Sequence, residues 1–217
     1  MGEFRARAVL FDKDGVLLDT MAMIRSTWAE WAAHRGVDPV AVLASIHMTA
    51  YELFERFAPS ADPQGEIRWI AARQAALEPS IKAFDGAAQL LASLPAGAWA
   101  VVTSARCEPS ARHLRAAGLP VPSVLVCAEE TPRGKPDPAG YLLAAARLDA
   151  RPDDCMVVED APAGIRAGKA AGMFVVAIAS TCDPPQLAEA DAIVPSIRSL
   201  RARSEDGAIC LSWRTEP

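Results

Sequence analysis

Acidic side chains that could share a cation stand at several separate places along this sequence. Asp12 and Asp14 are two residues apart and precede Gly15, which predicts a tight turn that aims Asp14 back towards a substrate. Glu159 and Asp160 form a second acidic pair. Three or four carboxylates repel one another when they meet, unless a cation lies between them. Because hard oxygen ligands select Mg²⁺, the sequence predicts a magnesium site.

The same set of residues suits the handling of a phosphate group. The hydroxyls of Thr103 and Ser104 and the ammonium of Lys135 can hold the outer oxygens of a phosphate that the metal also contacts. Of the carboxylates of Asp12 and Asp14, one can attack phosphorus to form an aspartyl-phosphate. The other can protonate the leaving oxygen and then activate water. Taken alone, the pair could equally be two surface acids that cap a helix.

Most of these residues follow short apolar runs, which predict the elements that must position them. Runs of about three to six apolar residues are typical of strands buried on both faces of a parallel sheet. The predicted strands are 8–11, 98–102, 123–127, 156–158, 174–178 and 192–194. Ala-rich stretches between them predict helices over 109–117, 138–148 and 163–171. This alternation predicts an α/β fold, in which ligands gather beyond the carboxyl ends of the strands.

One stretch, from residue 19 to residue 82, contains no buried-strand pattern. Its apolar periodicity predicts helices over 21–34, 39–46, 51–57 and 67–76. A helical block after the first strand indicates an inserted cap. We therefore expect a core domain of residues 1–17 and 83–217 and a helical cap domain of residues 18–82. The last segment, 204–217, fits either a short edge strand or a tail.

Composition excludes several classes of protein. Of the 217 residues 51% are hydrophobic and the formal net charge is −5, which excludes a disordered chain and disfavours nucleic acid as the main partner. No apolar stretch reaches the roughly 18 residues of a membrane span. The apolar run after the charged start is broken by Asp12 within a few residues, which disfavours a signal peptide. The cysteines, five in number and without a CxxC spacing, are expected to be the reduced thiols of a cytoplasmic protein.

Four segments of the chain, taken in order, resemble the four motifs of the haloacid dehalogenase superfamily phosphatases. They are FDKDGVLLDT at 11–20, VVTS at 101–104, GKPDP at 134–138 and VVEDAPAG at 157–164. The resemblance spans about residues 8–200 and is closest to sugar and polyol phosphatases. It implies a Rossmann-like parallel sheet with a mobile helical cap, hinged near 13–18 and 82–86. Closure of such a cap would exclude water and shape the substrate pocket.

The resemblance also implies a role for each motif residue. Asp12 would be the nucleophile and Asp14 the general acid and base. Thr103, helped by the region of Ser104 and Ala105, would bind the transferring phosphoryl group, and Lys135 would balance charge and order Asp12. The implied ligands of Mg²⁺ are Asp12, the Asp14 carbonyl and Asp160, with Glu159 either a ligand or a hydrogen-bond acceptor behind them.

The cap carries weaker expectations. His47 is a candidate substrate contact, while Trp28 and Trp31 fall where a cap helix would face the site. Relatives often carry a glycine and a basic residue after the position of His47, where this chain has Met48 and Thr49, so Arg56 or Arg73 could supply the clamp instead. The remaining histidines, His34 and His113, are expected to face solvent.

Three functions remain open from the sequence. The leading one is a Mg²⁺-dependent phosphatase of small phosphorylated metabolites, namely sugar or polyol phosphates, expected to be a monomer with a dimer left open. The alternative is a sugar phosphomutase similar to β-phosphoglucomutase, which Ile24 disfavours because mutases of this group tend to have a histidine there. The third is a binding protein without turnover. Asp14 argues against dehalogenation, because the dehalogenases lack this second aspartate.

Overall fold

The computed structural model describes residues 2–205 and 207–214. Its strands are β1 (Gly2–Ala6), β2 (Ala8–Phe11), β3 (Leu18–Asp19), β4 (Lys82–Ala83), β5 (Trp99–Val102), β6 (Val124–Val126), β7 (Cys155–Glu159), β8 (Phe174–Ile178), β9 (Ala192–Val194), β10 (Leu200–Glu205) and β11 (Ala208–Trp213). Its α-helices are α1 (Met21–Arg35), α2 (Pro39–Leu43), α3 (Ala50–Phe57), α4 (Pro63–Leu77), α5 (Ala87–Ala92), α6 (Cys107–Ala116), α7 (Ala139–Arg147) and α8 (Pro162–Ala170). Residues 1, 206 and 215–217, which the predicted core domain includes, lie outside the described residues.

Six parallel strands form the central sheet, in the order β6-β5-β2-β7-β8-β9. Along β2, Ala8 and Leu10 pack into one apolar cluster, while Val9 and Phe11 pack into another. Successive side chains of a strand point to opposite faces, so both faces of this sheet are covered. The predicted α/β fold with a parallel sheet is confirmed.

The register of the sheet brings the motif residues to one edge. Phe11, the last residue of β2, pairs with Val101 of β5 on one side and with Val158 of β7 on the other. Parallel strands end on the same side of a sheet. The residues that follow β2, β5 and β7 therefore emerge together, although they lie far apart in the sequence.

The helices α1–α4 have an apolar cluster of their own. Trp28 and Trp31 of α1 pack against Phe54 of α3, and Ile67 and Ile70 of α4 complete the cluster. Strands β3 and β4 pair where the chain enters and leaves this block. The division into a core domain and a cap domain stays a prediction. That prediction places the hinge at this two-stranded ribbon. In the described part of the chain, no helix is both long and apolar enough to cross a membrane.

The final segment forms strands. β10 and β11 make an antiparallel hairpin, and β11 also pairs with β1 to give a separate three-stranded sheet. Phe4 of β1 stacks on Phe174 with ring centroids 4.5 Å apart, and Trp213 of β11 lies against the same ring. The N-terminal strand was not predicted, because it alternates apolar and charged residues over too short a length to stand out.

The prediction for the cysteines is wrong for two of the five. The sulfurs of Cys107 and Cys127 are joined in a disulfide, with the Cα atoms 5.3 Å apart. The remaining three cysteines are free. Cys107 begins α6 and Cys127 follows β6, so the fold alone brings them together. The two cysteines are 20 residues apart in the sequence, and no motif at this spacing predicts the disulfide.

Reduction of this disulfide should lower the free energy of unfolding by about 3 kcal/mol, because a crosslink over a loop of this length restricts the unfolded chain. Urea unfolding with and without a thiol reductant measures the change. A Cys107→Ala, Cys127→Ala double variant, which has no crosslink to lose, should give the same midpoint in both conditions. Equal midpoints for the parent protein would show that the disulfide does not contribute to stability.

Candidate active site

The loop after β2 makes the tight turn that the sequence predicts. The N–H groups of Leu17 and Leu18 both donate to the Lys13 carbonyl at 3.0 Å, and the Gly15 N–H donates to the Leu18 carbonyl at 2.9 Å. Gly15 has φ +87°, and a Cβ there would lie 2.1 Å from Oδ2 of Asp160. A glycine is required at this position because the turn packs directly against the Asp160 carboxylate. These hydrogen bonds are made by backbone groups of residues on either side of Asp14, and none of them uses the Asp14 carbonyl.

Lys135 ties three strand ends together. Its Nζ bonds Oδ1 of Asp12, donates to Oε1 of Glu159 at 2.5 Å and donates to the Val102 carbonyl at 3.3 Å. Burial alone would lower the pKa of Lys135, but Asp12 and Glu159 together raise it well above its ordinary value. The ammonium therefore stays charged, and it holds the carboxylates that follow β2 and end β7.

Asp12 lies at the centre of this arrangement and is 7% exposed. Burial raises the pKa of Asp12 to about 7, and the nearby charges of Glu159 and Asp14 act in the same direction. The ion pair with Lys135 opposes the shift. A carboxylate in this position needs positive charge beside it to stay ionised near neutral pH.

The Glu159 carboxylate is fully engaged by the protein. Its Oε1 accepts from Lys135 and from the Tyr141 hydroxyl at 2.8 Å. Its Oε2 accepts from the backbone N–H groups of the next two residues, at 2.9 and 3.3 Å. A Cβ on Gly164 would lie 1.7 Å from Oε1, so the helix start packs against this group. Of the two predicted roles, the geometry favours an acceptor that orients Lys135 over a metal ligand.

Asp14 is held by a different set of partners. The ammonium of Lys13 lies 3.0 Å from Oδ2, the Thr20 hydroxyl donates to Oδ1 at 2.6 Å, and the Thr103 hydroxyl donates to Oδ2 at 3.5 Å. Burial would raise the pKa of Asp14, but Lys13 and the Thr20 hydrogen bond lower it below its ordinary value. Asp14 is therefore ionised in this structure and lies next to Thr103.

The loop after β5 also reaches the helical block. The Thr103 hydroxyl accepts the Ala105 N–H at 3.1 Å, so this N–H, in the region expected to help bind phosphate, already has a partner. The Ser104 hydroxyl donates to the backbone carbonyl of His47 at 3.0 Å. The structure thus brings Thr103 to Asp14, while it places Ser104 in contact with the segment between α2 and α3.

Asp160 is buried beside residues that the sequence analysis missed. The Thr181 hydroxyl donates to Oδ2 of Asp160, and the Ser180 hydroxyl donates to the Gly15 carbonyl at 2.5 Å. Burial, followed by the charges of Glu159 and Asp12, raises the pKa of Asp160 well above its ordinary value. Ser180 and Thr181 follow β8 closely, so the strand-end rule that found the other residues could have found them.

Hard oxygen donors for a divalent cation remain at this edge of the sheet. Both oxygens of Glu159 accept hydrogen bonds from the protein, and the Asp14 carboxylate pairs with Lys13. Lys135 bonds Oδ1 of Asp12, which leaves Oδ2 of Asp12, the Asp160 carboxylate and the Asp14 carbonyl. Two buried carboxylates with raised pKa values fit a cation, because positive charge would stabilise their ionised forms. In the described ranges, the three side chains that lie close enough together to share a metal ion are those of Cys107, Cys127 and Glu129. They are separate from the residues above, and the disulfide already joins the two sulfurs.

A cavity of about 380 Å³ lies between these residues and helices α1–α4. His47, the candidate substrate contact, lines it, and burial followed by the charge of Arg166 lowers the pKa of this imidazole. Trp28 also lines the cavity. Trp31 does not face it as expected, because its indole N–H donates to the buried Glu66 at 2.6 Å inside the helical block.

Three basic residues, His113, Arg56 and Arg73, do not lie where the sequence predicts. His113 is not solvent-facing: it is 3% exposed, it lines the cavity, and its Nε2 lies 3.1 Å from Oε1 of Glu78. Arg56 lies over the Phe57 ring. Arg73 pairs with a glutamate at 3.2 Å and stacks on Trp69. Neither arginine is among the residues that line the cavity, so neither supplies the expected clamp.

Comparison with known proteins shows the family of this chain. The sequence model of haloacid dehalogenase-like hydrolases matches residues 6–172. The chain belongs to the haloacid dehalogenase-like hydrolase family. It is 39% identical to hexitol phosphatase A of Escherichia coli (strain K12), over 90% of this chain and 94% of that protein. It is 35% identical to validoxylamine A 7'-phosphate phosphatase of Streptomyces hygroscopicus subsp. limoneus, over 90% and 96% of the two chains.

A solved structure shares the fold of this hydrolase. A hydrolase from Pseudomonas syringae superimposes with a TM-score of 0.78 at 23% identity, covering 88% of this chain and 94% of its own. At that identity the likeness shows the fold alone. The predicted superfamily and the prediction of a hydrolase of the phosphatase type are confirmed by the family match and the curated relatives.

The helical block of this hydrolase contacts the loop that carries Lys135. The Gly134 N–H lies 3.2 Å from both carboxylate oxygens of Glu52 in α3. The same carboxylate accepts the Thr49 N–H at 2.8 Å and completes the N-terminal cap of α3. A Cβ on Gly134 would lie 2.8 Å from Glu52 and 3.0 Å from Thr49, so the two segments are in close contact.

A Glu52→Ala variant should expose the Gly134 amide. Loss of one hydrogen bond to a charged group should speed hydrogen exchange at Gly134 by about tenfold or more, measured by NMR. Thr49→Val keeps Glu52 and serves as the control for a weakened helix cap, so exchange at Gly134 should stay near the parent rate. Unchanged exchange in Glu52→Ala would show that this contact does not hold the block against the core.

Proposed function

We propose that this hydrolase is a Mg²⁺-dependent phosphatase of small phosphorylated metabolites, namely sugar or polyol phosphates, that works through an aspartyl-phosphate on Asp12. The observation that carries the proposal is the position of Asp12 at the end of the central strand. There Lys135 fixes its carboxylate, and the ionised Asp14 lies beside Thr103. The names of these two relatives, hexitol phosphatase A and validoxylamine A 7'-phosphate phosphatase, support a phosphatase of small phosphorylated metabolites, and the first supports a polyol phosphate.

Asp12 is the group best placed to attack phosphorus. An ionised carboxylate forms the new bond to phosphorus while the bond between phosphorus and the alcohol oxygen breaks. Lys135 lies against Asp12 and Thr103 lies beside Asp14, so both can contact the outer oxygens of the phosphoryl group. These donors are in place before the reaction, which is the arrangement that stabilises developing charge most effectively.

Asp14 is the group best placed to move protons. Its lowered pKa keeps it ionised in the resting protein, which suits the second half of the reaction, in which it takes a proton from water. A phosphate dianion that enters beside Asp14 raises its pKa by charge repulsion. Asp14 can then carry the proton that the leaving alcohol needs in the first half.

The proposed cation would be held by the carboxylates of Asp12 and Asp160 and by the Asp14 carbonyl. When bound, Mg²⁺ would neutralise the charge of the phosphate and of the carboxylates around it. Glu159 would then act behind this group by orienting Lys135. The raised pKa values of Asp12 and Asp160 support a cation here, because without one their ionised forms are unfavourable.

Hydrolysis is favoured over transfer to a second sugar hydroxyl. A phosphomutase needs a side chain that takes a proton from that hydroxyl, and the apolar Ile24 lines the cavity at the position where relatives of that kind tend to have a histidine. A binding protein without turnover would not need all of the motif acids, the Thr103 hydroxyl and Lys135 together. The cytoplasmic location and the monomeric state stay predictions.

An Asp12→Asn variant should lose turnover of p-nitrophenyl phosphate by at least about 10³-fold in the presence of Mg²⁺, because the amide cannot attack phosphorus. Asp153→Asn changes an exposed acid outside the cavity and should keep the parent rate. Circular dichroism checks that both variants keep the fold. Parent-like turnover in Asp12→Asn would refute the mechanism.

Removal of divalent cations with EDTA should abolish turnover, and added Mg²⁺ should restore it. An Asp160→Asn variant should need about 100-fold more Mg²⁺ for half-maximal rate, because it loses a charged ligand. Asp183→Asn, which changes an exposed acid three residues after Ser180, is the matched control. A half-activating concentration that Asp160→Asn leaves unchanged would remove Asp160 from the proposed ligand set.

A further inference from the structure

The disulfide between Cys107 and Cys127 lies among acidic side chains. The Cys107 N–H donates to both carboxylate oxygens of Glu129, at 3.1 and 3.3 Å. Oε2 of Glu130 lies 3.6 Å from Sγ of Cys107. The described residues that line the cavity include neither cysteine, so this cluster is separate from the site at the sheet edge.

Reduction converts the disulfide into two neighbouring thiols. A dithiol reductant gives up two hydrogens and becomes a disulfide itself, the S–S bond of the protein breaks, and each sulfur gains one hydrogen. Disulfides persist in oxidising compartments and are rare in reducing ones. In a reducing compartment the fold therefore carries two thiols on backbone positions whose Cα atoms are 5.3 Å apart.

The two sulfurs and Glu129 have the spacing of a metal site. The sulfur of Cys107, the sulfur of Cys127 and one carboxylate oxygen of Glu129 all lie within 4.8 Å of one another. In tetrahedral zinc sites, where the Zn–S distance is about 2.3 Å, neighbouring ligand atoms are roughly 3.5–3.8 Å apart. Once the S–S bond is broken, side-chain rotation can separate the sulfurs to this distance and bring the exposed Glu129 carboxylate closer.

The charges around the sulfurs match a divalent cation. Two carboxylates beside the sulfurs disfavour thiolates that lack a positive partner. Each carboxylate pairs with one arginine, Glu129 with Arg106 at 3.1 Å and Glu130 with Arg147 at 2.7 Å. Two thiolates and two carboxylates are therefore balanced in charge by these two arginines and one divalent cation.

We propose that the reduced protein binds one thiophilic divalent cation of the Zn²⁺ class through Cys107, Cys127 and Glu129, with water in the fourth position. On binding, each S–H bond breaks, each sulfur forms a bond to the metal, and two protons leave to solvent. Thiolate ligands select Zn²⁺ over Mg²⁺, so this site differs in chemistry from the oxygen-ligand site at Asp12 and Asp160.

The bound cation would take over the structural role of the disulfide. Cys107 begins α6 four residues after Thr103, and the Ala105 carbonyl accepts the Ala128 N–H at 3.0 Å. In the oxidised protein the disulfide joins the start of α6 to the end of β6, next to this loop. In the reduced protein the metal makes the same connection, so the loop that carries Thr103 is anchored in both redox states.

Cobalt(II) is the probe, because a thiolate bound to Co²⁺ gives an intense charge-transfer absorption that oxygen ligands do not give. Protein reduced with a phosphine, so that no added thiol competes for the metal, should develop this absorption with one equivalent of Co²⁺. Zn²⁺ should remove the absorption and excess Mg²⁺ should not. The oxidised protein should not develop it. No absorption in the reduced protein, or equal absorption in the oxidised protein, would overturn the proposal.

Substitutions separate ligation from local charge. Cys107→Ser should abolish the absorption, and Cys127→Ser makes the same test if the first variant fails to fold. Glu129→Gln should weaken Co²⁺ binding by more than the roughly tenfold that loss of a partner behind a ligand costs. The controls are Glu108→Gln, which removes an exposed charge beside Cys107, and Cys182→Ser, which removes a free cysteine.

Both control variants should bind Co²⁺ with the parent affinity. Parent-like binding in Glu129→Gln would overturn the three-ligand site. Absorption that survives in both serine variants of the disulfide cysteines, or that is lost in Cys182→Ser, would place the metal elsewhere and overturn the proposal.

Discussion

The ion pairs of Lys135 are the interaction on which the rest of the site depends. A buried ammonium is tolerated only when carboxylates surround it, and here Asp12 and Glu159 come from neighbouring strands. The Asp12 carboxylate is in turn buried and needs the ammonium to stay charged. The three groups therefore fix one another, and the parallel register of β2 and β7 fixes the distance between them.

The site separates charge from apolar surface across one cavity. The sheet edge supplies the charged groups, which are rigid because each has several hydrogen-bond partners. The helical block contributes mostly apolar side chains to the cavity, together with Arg25, His47 and Gln74, and it touches the core through Ser104 and Glu52.

Sequence reasoning succeeded where one local pattern determines one element. The runs 174–178 and 192–194 coincide with β8 and β9, because short apolar runs that contain β-branched residues favour buried strands. Asp12, Thr103 and Lys135 were found because they follow strands or precede a helix. Sequence reasoning failed where a contact with a residue distant in the sequence determines the structure. The Cys107–Cys127 disulfide and the burial of His113 against Glu78 depend on contacts that no local pattern encodes.

The central claim is that Asp12 carries the phosphoryl group, and trapping the intermediate tests it most directly. Borohydride reduces an acyl phosphate to an alcohol, so an aspartyl-phosphate is converted to homoserine. Mass spectrometry of peptides from protein quenched with borohydride during turnover should show homoserine at position 12, only when substrate is present. An unmodified residue 12 in actively turning-over protein, or a phosphoryl group recovered on another residue, would contradict the account.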